Sequence, residues 1–288
     1  MNVRKAVIPA AGFGTRFLPV TRSVPKVLLP VLDTPSIHYM VEEAAQSGIR
    51  DIAIVISEGQ EALTRYFNPN AKLEKALASQ GKDELVQRLR AISDMANITY
   101  VHQAKALGLG HAVLMGRDFV GDEPFAVFLP DDLIWAEKPT IRDMTAIYEQ
   151  HQGSVIAVRE ATPERVPNLG IIDPEHLAGN LIRVKRMVEK PRLEDAPSRL
   201  GVIGRYVLDP QVFSELENGK PGALGEIQLT DAINALAQKK GVYAYEFPGV
   251  HIDVGVPSGL VKASVYEALH RGDDDLRQWL RGLLDDRK

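Results

Sequence analysis

Cysteine is absent from the 288 residues. Its absence excludes disulfides, a thiolate nucleophile and any cysteine-ligated metal. It fits a reducing compartment, and the expected location is cytoplasmic. Long apolar runs are missing too: no window nears the ~18 apolar residues of a membrane span. The opening MNVRKAVIPAAG has one short apolar run that soon meets Gly and Arg, without the layout of a signal peptide. There is no long basic run, and the formal net charge is −4. Neither nucleic acid nor a membrane is therefore an expected partner. No Ser/Gly linker, low-complexity tract or repeat interrupts the chain.

What is present has the balance of an ordinary globular protein, 45% hydrophobic and 25% charged. The length allows one large α/β domain or two small ones, and the lack of a linker favours one, over residues 1–288. An acidic chain can still bind polyphosphate, because local cations and metal decide that.

Short apolar runs alternate with helical patterns. Lys5–Ala10, Asp51–Ile56, Ile98–His102 and Pro124–Leu129 read as strands. Between them, Ser36–Gln46, Glu61–Phe67 and Gly110–Phe119 read as helices. In the first of these, Ile37, Met40, Val41, Ala44 and Ala45 share one face. A charged helical insertion on the surface is expected near 68–96, densest at 72–95. The β-α-β-α rhythm predicts an α/β protein whose largely parallel sheet carries helices on both faces.

The second half is richer in strands: Ser154–Val158, Leu181–Glu189, Gly201–Leu208, Val242–Phe247 and His251–Val254. Helices are predicted at Ile141–Gln150, Pro210–Leu216 and Thr230–Lys239. A last helical segment, near 258–286, has a break at Gly272. Its stripe of Leu276, Leu280, Leu283 and Leu284 beside Trp279 suits docking onto the same domain, or else a contact between subunits.

The first strand runs into Ala10-Ala11-Gly12-Phe13-Gly14-Thr15-Arg16. Ligands of open α/β sheets sit beyond the carboxyl ends of strands. Two glycines there allow close backbone approach, their N–H groups can cradle phosphate, and Arg16 can fork onto phosphate oxygens. A tight turn with a surface arginine is the competing account. A Walker loop is excluded by residue order. A dinucleotide fingerprint is excluded too: Phe17 stands where the third glycine belongs, and Pro19 and Pro25 interrupt the helix that should follow. Leu18–Pro30 therefore reads as an ordered loop over the sheet, returning Lys26 to the phosphate site.

Other residues stand at comparable places. Gln103, five residues before Gly108, offers a donor and an acceptor suited to the edge of a base, or is merely solvated. Asp131 and Asp132 directly follow a buried strand, where carboxylates can hold Mg²⁺ or cap a turn. Glu189 and Lys190 close another strand, as a pair serving a cleft or as an exposed turn.

AAGFGTRFLPVTRSVPKVLLP closely resembles the signature of the bacterial UTP–glucose-1-phosphate uridylyltransferases, within the wider sugar-nucleotide pyrophosphorylases. The likeness continues through VHQAKALGLGHAV, FAVFLPDDLI, MVEKP, IGRYVL and GEIQLTDAI, over roughly residues 3 to 270. It implies a Rossmann-like, mixed but mainly parallel sheet of the nucleotide-diphospho-sugar transferase type. It further implies that UTP and glucose 1-phosphate are joined to UDP-glucose with release of pyrophosphate. By resemblance, Ala10, Ala11, Gly12, Gly14, Thr15, Gln103 and Gly108 hold the nucleotide, with Gln103 and Gly108 reading the pyrimidine. Asp131 and Asp253 hold Mg²⁺, the implied cofactor. Gly170 and Glu189 meet the sugar, Lys190 the sugar phosphate, and Arg16 and Lys26 the triphosphate. Asp132, His111, Glu226 and Asp231 take supporting roles. A homo-oligomer, dimer or tetramer, is expected.

The departures lie mostly on the sugar side. The family commonly reads PKEMLP and YDCGSKxG. Here Val27 replaces the glutamate, and Ile252, Val256 and Pro257 replace the tyrosine, serine and lysine. Leu169 replaces a tyrosine before Gly170. These exchanges predict weaker or broader sugar recognition, because they remove a cation and hydrogen-bonding groups. The same reaction on another sugar 1-phosphate, or a non-catalytic regulatory role, are the alternatives.

Overall fold

The apolar runs that alternate with helical patterns become one layered assembly. The structure, a computed structural model, describes residues 2–177, 181–219 and 225–285. In chain order the elements are β1 (Lys5–Pro9), a hairpin of β2 (Pro30–Val31) and β3 (Thr34–Pro35), α1 (Ser36–Gln46), β4 (Asp51–Ile56) and α2 (Glu61–Phe67). Then come α3 (Ala71–Ala78), α4 (Asp83–Ser93), β5 (Asn97–His102), α5 (Leu109–Leu114), α6 (Arg117–Val120), β6 (Phe125–Phe128) and β7 (Asp132–Trp135). The second half holds α7 (Thr140–His151), β8 (Ser154–Glu160), β9 (Gly170–His176), β10 (Leu181–Glu189), β11 (Leu200–Leu208), α8 (Val212–Asn218) and α9 (Leu229–Lys239). It ends with β12 (Val242–Glu246), β13 (Val250–Asp253), α10 (Pro257–His270) and α11 (Asp274–Asp285).

The main sheet has the order β5-β4-β1-β6-β11-β8-β12-β10-β9. β5, β4, β1 and β6 pair parallel, as the rhythm of the first half predicts. β8 and β12 also pair parallel, while β11 and β10 run against their neighbours. The sheet is thus mixed and mainly parallel. Alternation along β1 explains the two cores. Ala6 and Ile8 face α1, α2, α7 and α10, whereas Val7 faces α5, α8 and α9. Strands covered on both sides must be apolar at nearly every position, which is why they read as unbroken runs. Each buried Ile or Val in them is worth about 1.5–3 kcal/mol.

Several boundaries move for local reasons. The predicted helix Gly110–Phe119 is two, α5 and α6, parted at Met115–Gly116. The surface insertion is also two helices, α3 and α4, with Gly81 at φ 71° in the turn between them. Only Val86 is buried in the pair, as an insertion on the surface requires. The last segment does break at Gly272, which has φ 85°. Its expected end at 286 lies outside the described residues, and α11 is described as far as Asp285. α11 touches α10, where Arg277 Nη2 donates to the Leu269 carbonyl at 3.4 Å, and Leu276 and Leu280 of its stripe are half-buried. The helix buries no side chain fully, and Trp279 and Leu284 are 59% and 68% exposed.

Two strands had no clear sequence signal. β9 contains a proline, and β7 begins on a charged residue directly after the buried β6. β7 pairs antiparallel with β13 as a separate two-stranded sheet, Asp132 opposite Asp253.

Candidate active site

The glycine loop leaves β1 at its carboxyl end. Ala10 and Ala11 are buried, and the Ala10 N–H donates to the Val55 carbonyl at 2.8 Å. Gly14 adopts φ 64°, a region L-residues seldom enter. A Cβ there would lie 2.9 Å from Lys26 Cβ and 3.0 Å from Thr21 Cγ2. The loop therefore needs glycine at 14 for both its dihedral and its contact with the segment that brings Lys26 back. Gly12, also beside Lys26, has more room. Thr15 and Arg16 start a short 3-10 turn, Thr15–Phe17.

Lys26 Nζ donates to Asp131 Oδ2 at 2.8 Å. Asp131 follows β6, and Asp253 ends β13, so one loop and one strand end bring the two carboxylates together. Gly255 lies between them. A Cβ on it would sit 3.0 Å from Asp131 Oδ2 and 3.0 Å from Asp253 Oδ1. The Gly255 N–H also donates to Asp253 Oδ1 at 2.8 Å, fixing that carboxylate. Burial pushes the Asp253 carboxyl up, and the neighbouring Asp132 and Asp131 charges add to the rise.

Asp132, the first residue of β7, engages both of its carboxylate oxygens with other groups. Its Oδ1 accepts from His251 Nε2 at 2.6 Å and its Oδ2 from the Gly204 N–H at 3.2 Å. Burial alone would raise the Asp132 carboxyl. The His251 and Gly204 hydrogen bonds and the Arg205 charge outweigh it and hold the group below its ordinary value. Asp132 thus ties β7, β13 and β11 together beside Asp131.

A cleft of about 330 Å³ opens over these groups and gathers Arg16, Asp131, Asp253, Gly170, Glu189 and Lys190 in its lining. Lys190 has φ 46°, an uncommon value for a non-glycine residue, and its N–H donates to the Leu169 carbonyl at 3.1 Å. That kink at the end of β10 lets the adjacent Glu189 and Lys190 serve one cleft, with Nζ and Oε1 3.3 Å apart. Glu189 Oε2 accepts from Thr230 Oγ1 at 2.6 Å, and a Cβ on Gly170 would come within 3.3 Å of the same oxygen. Gly170 and Glu189 therefore form one shelf, with Thr230 as its support.

Gln103 and Gly108 do not line this cleft. Gln103 is buried at the end of β5, its Nε2 2.8 Å from His111 Nδ1. Gly108, at φ 94°, precedes α5, and a Cβ there would meet Glu226 Cβ at 2.9 Å. Leu109 and Glu226 belong to the cleft lining and adjoin Gly108.

Two cleft residues lacked a signal in the sequence. Thr230 lay unremarked inside GEIQLTDAI. Arg165, before the 3-10 turn Val166–Asn168, lines the cleft with its guanidinium 3.5 Å from Asp253 Oδ2. The exchange at Pro257 starts α10 at its first turn, where proline fits, while Arg165 brings positive charge from another loop.

A larger cavity, about 670 Å³, lies behind the β7–β13 sheet between α1 and α10. Much of its charge is already engaged: Glu43 with Arg205, and Glu267 with Trp135 and Arg271. It lacks the convergence of cations and carboxylates found in the cleft.

Convergent carboxylates and cations beyond the carboxyl ends of a mainly parallel sheet define the class of α/β proteins that handle phosphorylated ligands. The chain belongs to the nucleotidyl transferase family, whose model matches residues 5–268. It is 45% identical over 284 residues to the UTP–glucose-1-phosphate uridylyltransferase of Staphylococcus haemolyticus (strain JCSC1435), spanning 98% of this chain and 99% of that one. Identity to the protein of the same name from Bacillus subtilis (strain 168) is 44% over 285 residues, 98% of each chain. Among solved structures, a UDP-glucose pyrophosphorylase complexed with UDP-glucose superposes with a TM-score of 0.85 at 41% identity, covering 93% of this chain and 99% of that chain. The UTP-bound UGPase from Acinetobacter baumannii superposes with a TM-score of 0.89 at 36% identity, covering 99% and 100%. Among the described residues, no helix is long and apolar enough to cross a membrane.

Proposed function

We propose that the chain joins UTP to glucose 1-phosphate, giving UDP-glucose and pyrophosphate. The observation that carries this reading is the gathering of Asp131, Asp253, Arg16, Lys190 and Glu189 around one cleft, with Lys26 on Asp131. The near-full-length likeness to uridylyltransferases supports it.

The residues fit a divalent cation. Asp131 and Asp253 flank a space that a single Cβ on Gly255 would fill, and both offer hard oxygen ligands. Among the described residues no third His, Cys, Asp or Glu joins them. That suits Mg²⁺, which commonly takes one or two carboxylates and completes its shell with phosphate oxygens and water. When bound, Mg²⁺ would supply charge neutralisation on the phosphates.

UTP and a sugar 1-phosphate repel each other, so their meeting is the main obstacle. The attacking phosphate oxygen is already ionised at neutral pH and needs no general base. In this reading Arg16 and Lys26 hold the triphosphate, and the Gly12–Gly14 backbone lies against it. Lys190 holds the sugar phosphate, while Glu189 accepts from sugar hydroxyls. Ala10, Ala11, Thr15, Gly108 and Gln103 orient the nucleotide. In-line attack on the α-phosphorus then releases pyrophosphate, by positioning and charge stabilisation alone.

We read residues 1–288 as one domain, since a single sheet runs from β1 to β12. We read the protein as a cytoplasmic homo-oligomer, with light scattering as the check on its assembly. The functional test is pyrophosphate release across a panel of nucleoside triphosphates and sugar 1-phosphates. Turnover confined to UTP with glucose 1-phosphate is expected. Preference for another sugar would change the substrate. Bound UTP with no turnover on any sugar phosphate would make the chain a regulatory relative.

A further inference from the structure

The family lysine after the metal-site aspartate is missing here, because Val256 and Pro257 stand in that stretch. The cleft nevertheless contains a guanidinium that the family pattern does not mark. Arg165 lines it together with Arg16, Lys190, Glu189 and Gly170. We propose that Arg165 binds the phosphate of the sugar 1-phosphate and so replaces the missing lysine. This inference rests on the uridylyltransferase reading and adds a substrate-binding residue to it.

Three observations carry it. The first is anchorage. The Arg165 N–H donates to the Thr162 carbonyl at 2.9 Å, and its own carbonyl accepts from the Asn168 N–H at 2.9 Å. Val166, the next residue, is fully buried with Ile171 and Ala161. The base of the side chain is therefore fixed at the rim of the cleft. The second is freedom at the tip. The side chain is 40% exposed, and the approach of its guanidinium to Asp253 Oδ2, at 3.5 Å, is longer than a good charged hydrogen bond. It can turn toward an arriving anion at little cost.

The third is chemistry and place. A guanidinium presents a planar fork of donors that matches two phosphate oxygens at once, which a lysine cannot do. Leu169 and Gly170 follow Arg165 on the same loop, and the Leu169 carbonyl receives the Lys190 N–H. One short segment thus joins Arg165 to the sugar shelf and to the other cation on this side. Arg165 and Lys190 would grip the sugar phosphate from the two loops that meet there. The triphosphate cations, Arg16 and Lys26, come from a different part of the chain.

The test uses Arg165→Ala and Arg165→Lys, with thermal melts to verify folding. Steady-state kinetics are measured for glucose 1-phosphate and UTP, and equilibrium titrations for UDP-glucose and UTP. UDP-glucose carries the same sugar phosphate, so it reports the contact without turnover. Arg165→Ala is expected to raise KM for glucose 1-phosphate at least about tenfold, the usual scale for a lost charged hydrogen bond. UDP-glucose affinity should fall by a similar factor, UTP values should stay within about twofold of wild type, and Arg165→Lys should recover part of the loss. Unchanged glucose 1-phosphate KM and UDP-glucose affinity would overturn the proposal. So would equal losses for UTP and glucose 1-phosphate, which mark a merely structural role. Failure of the wild type to turn over any sugar 1-phosphate would instead strike the uridylyltransferase reading.

Discussion

Gly255→Ala replaces one hydrogen by a methyl group at the place where the two candidate metal ligands converge. Gly255 is not in the left-handed region, so alanine suits its backbone. The new Cβ would stand 3.0 Å from Asp131 Oδ2, 3.0 Å from Asp253 Oδ1 and 3.3 Å from Asp131 Cβ. Relief requires each carboxylate to give way by a few tenths of an ångström. Both oxygens belong to groups that can rotate, so the fold should lose only about 1 kcal/mol, the low end for added methyl groups. Function should suffer far more. Mg²⁺ demands ligands at about 2.0–2.1 Å in near-octahedral geometry, and a methyl group between its two carboxylates holds them apart. Turnover is expected to fall about 10²-fold or more, the scale for losing a transition-state charge stabiliser. The Mg²⁺ concentration for half-maximal rate should rise. Pyrophosphate release across a Mg²⁺ titration, beside a thermal melt, measures both effects. A folded variant with wild-type turnover and unchanged Mg²⁺ dependence would refute the placement of the metal between Asp131 and Asp253.

Gln103→Ala should weaken UTP binding and blur its discrimination from CTP and ATP, measured by competition titration; unchanged selectivity would remove Gln103 from base reading. His111, which Gln103 contacts, has its protonation held below the ordinary 6.5 by burial. The folded state therefore favours neutral His111, and its contribution is intact above 6.5 and lost as pH falls from there through the lowered value. UTP affinity should decline over the same window, and His111→Asn should flatten that part of the profile. Arg205 is completely buried and donates twice to Glu43 Oε2, at 2.9 and 2.8 Å. Arg205→Met should cost about 3–5 kcal/mol by urea denaturation, because it strands a largely buried carboxylate. Adding Glu43→Gln should return part of that loss; an unchanged midpoint in the single variant would contradict the argument.

The fold was most legible where a periodic pattern met a natural stop. α1, β4 and α2 begin and end where the sequence predicts, because each is an apolar stripe or run bounded by turn residues. β7 was invisible, since a four-residue strand starting with Asp132 gains its identity only from β13, far along the chain. In the site, the prolines that forbid a helix made the loop carrying Lys26 legible, but not the lysine's contact with Asp131 at 2.8 Å. Asp132 was legible only as a carboxylate after a buried strand, its supporting role being what the family resemblance implied. Arg165 was not. No spacing rule joins it to Asp253; the contact joins the loop before β9 to the end of β13. Chemistry assembled from distant loops leaves no local pattern, and the exchange at Pro257 pointed to a loss without showing its replacement.

The two-stranded sheet of β7 and β13 also sets an order in the life of the molecule. Asp132 and His251 are 119 residues apart in sequence and hydrogen-bonded in space. A ribosome that has released the chain through α9 has already made the glycine loop, Lys26 and Asp131, but not Asp253 or Gly255. Such a nascent chain can form its early strands and still has only half of the cation cradle. Register is unforgiving as well, since a slip of one residue in β13 turns Asp253 to the opposite face. Long-range pairings of this kind form late and slowly compared with local ones. A chain stopped short of β13 therefore lacks Asp253 and Gly255, and with them one side of the candidate cation site.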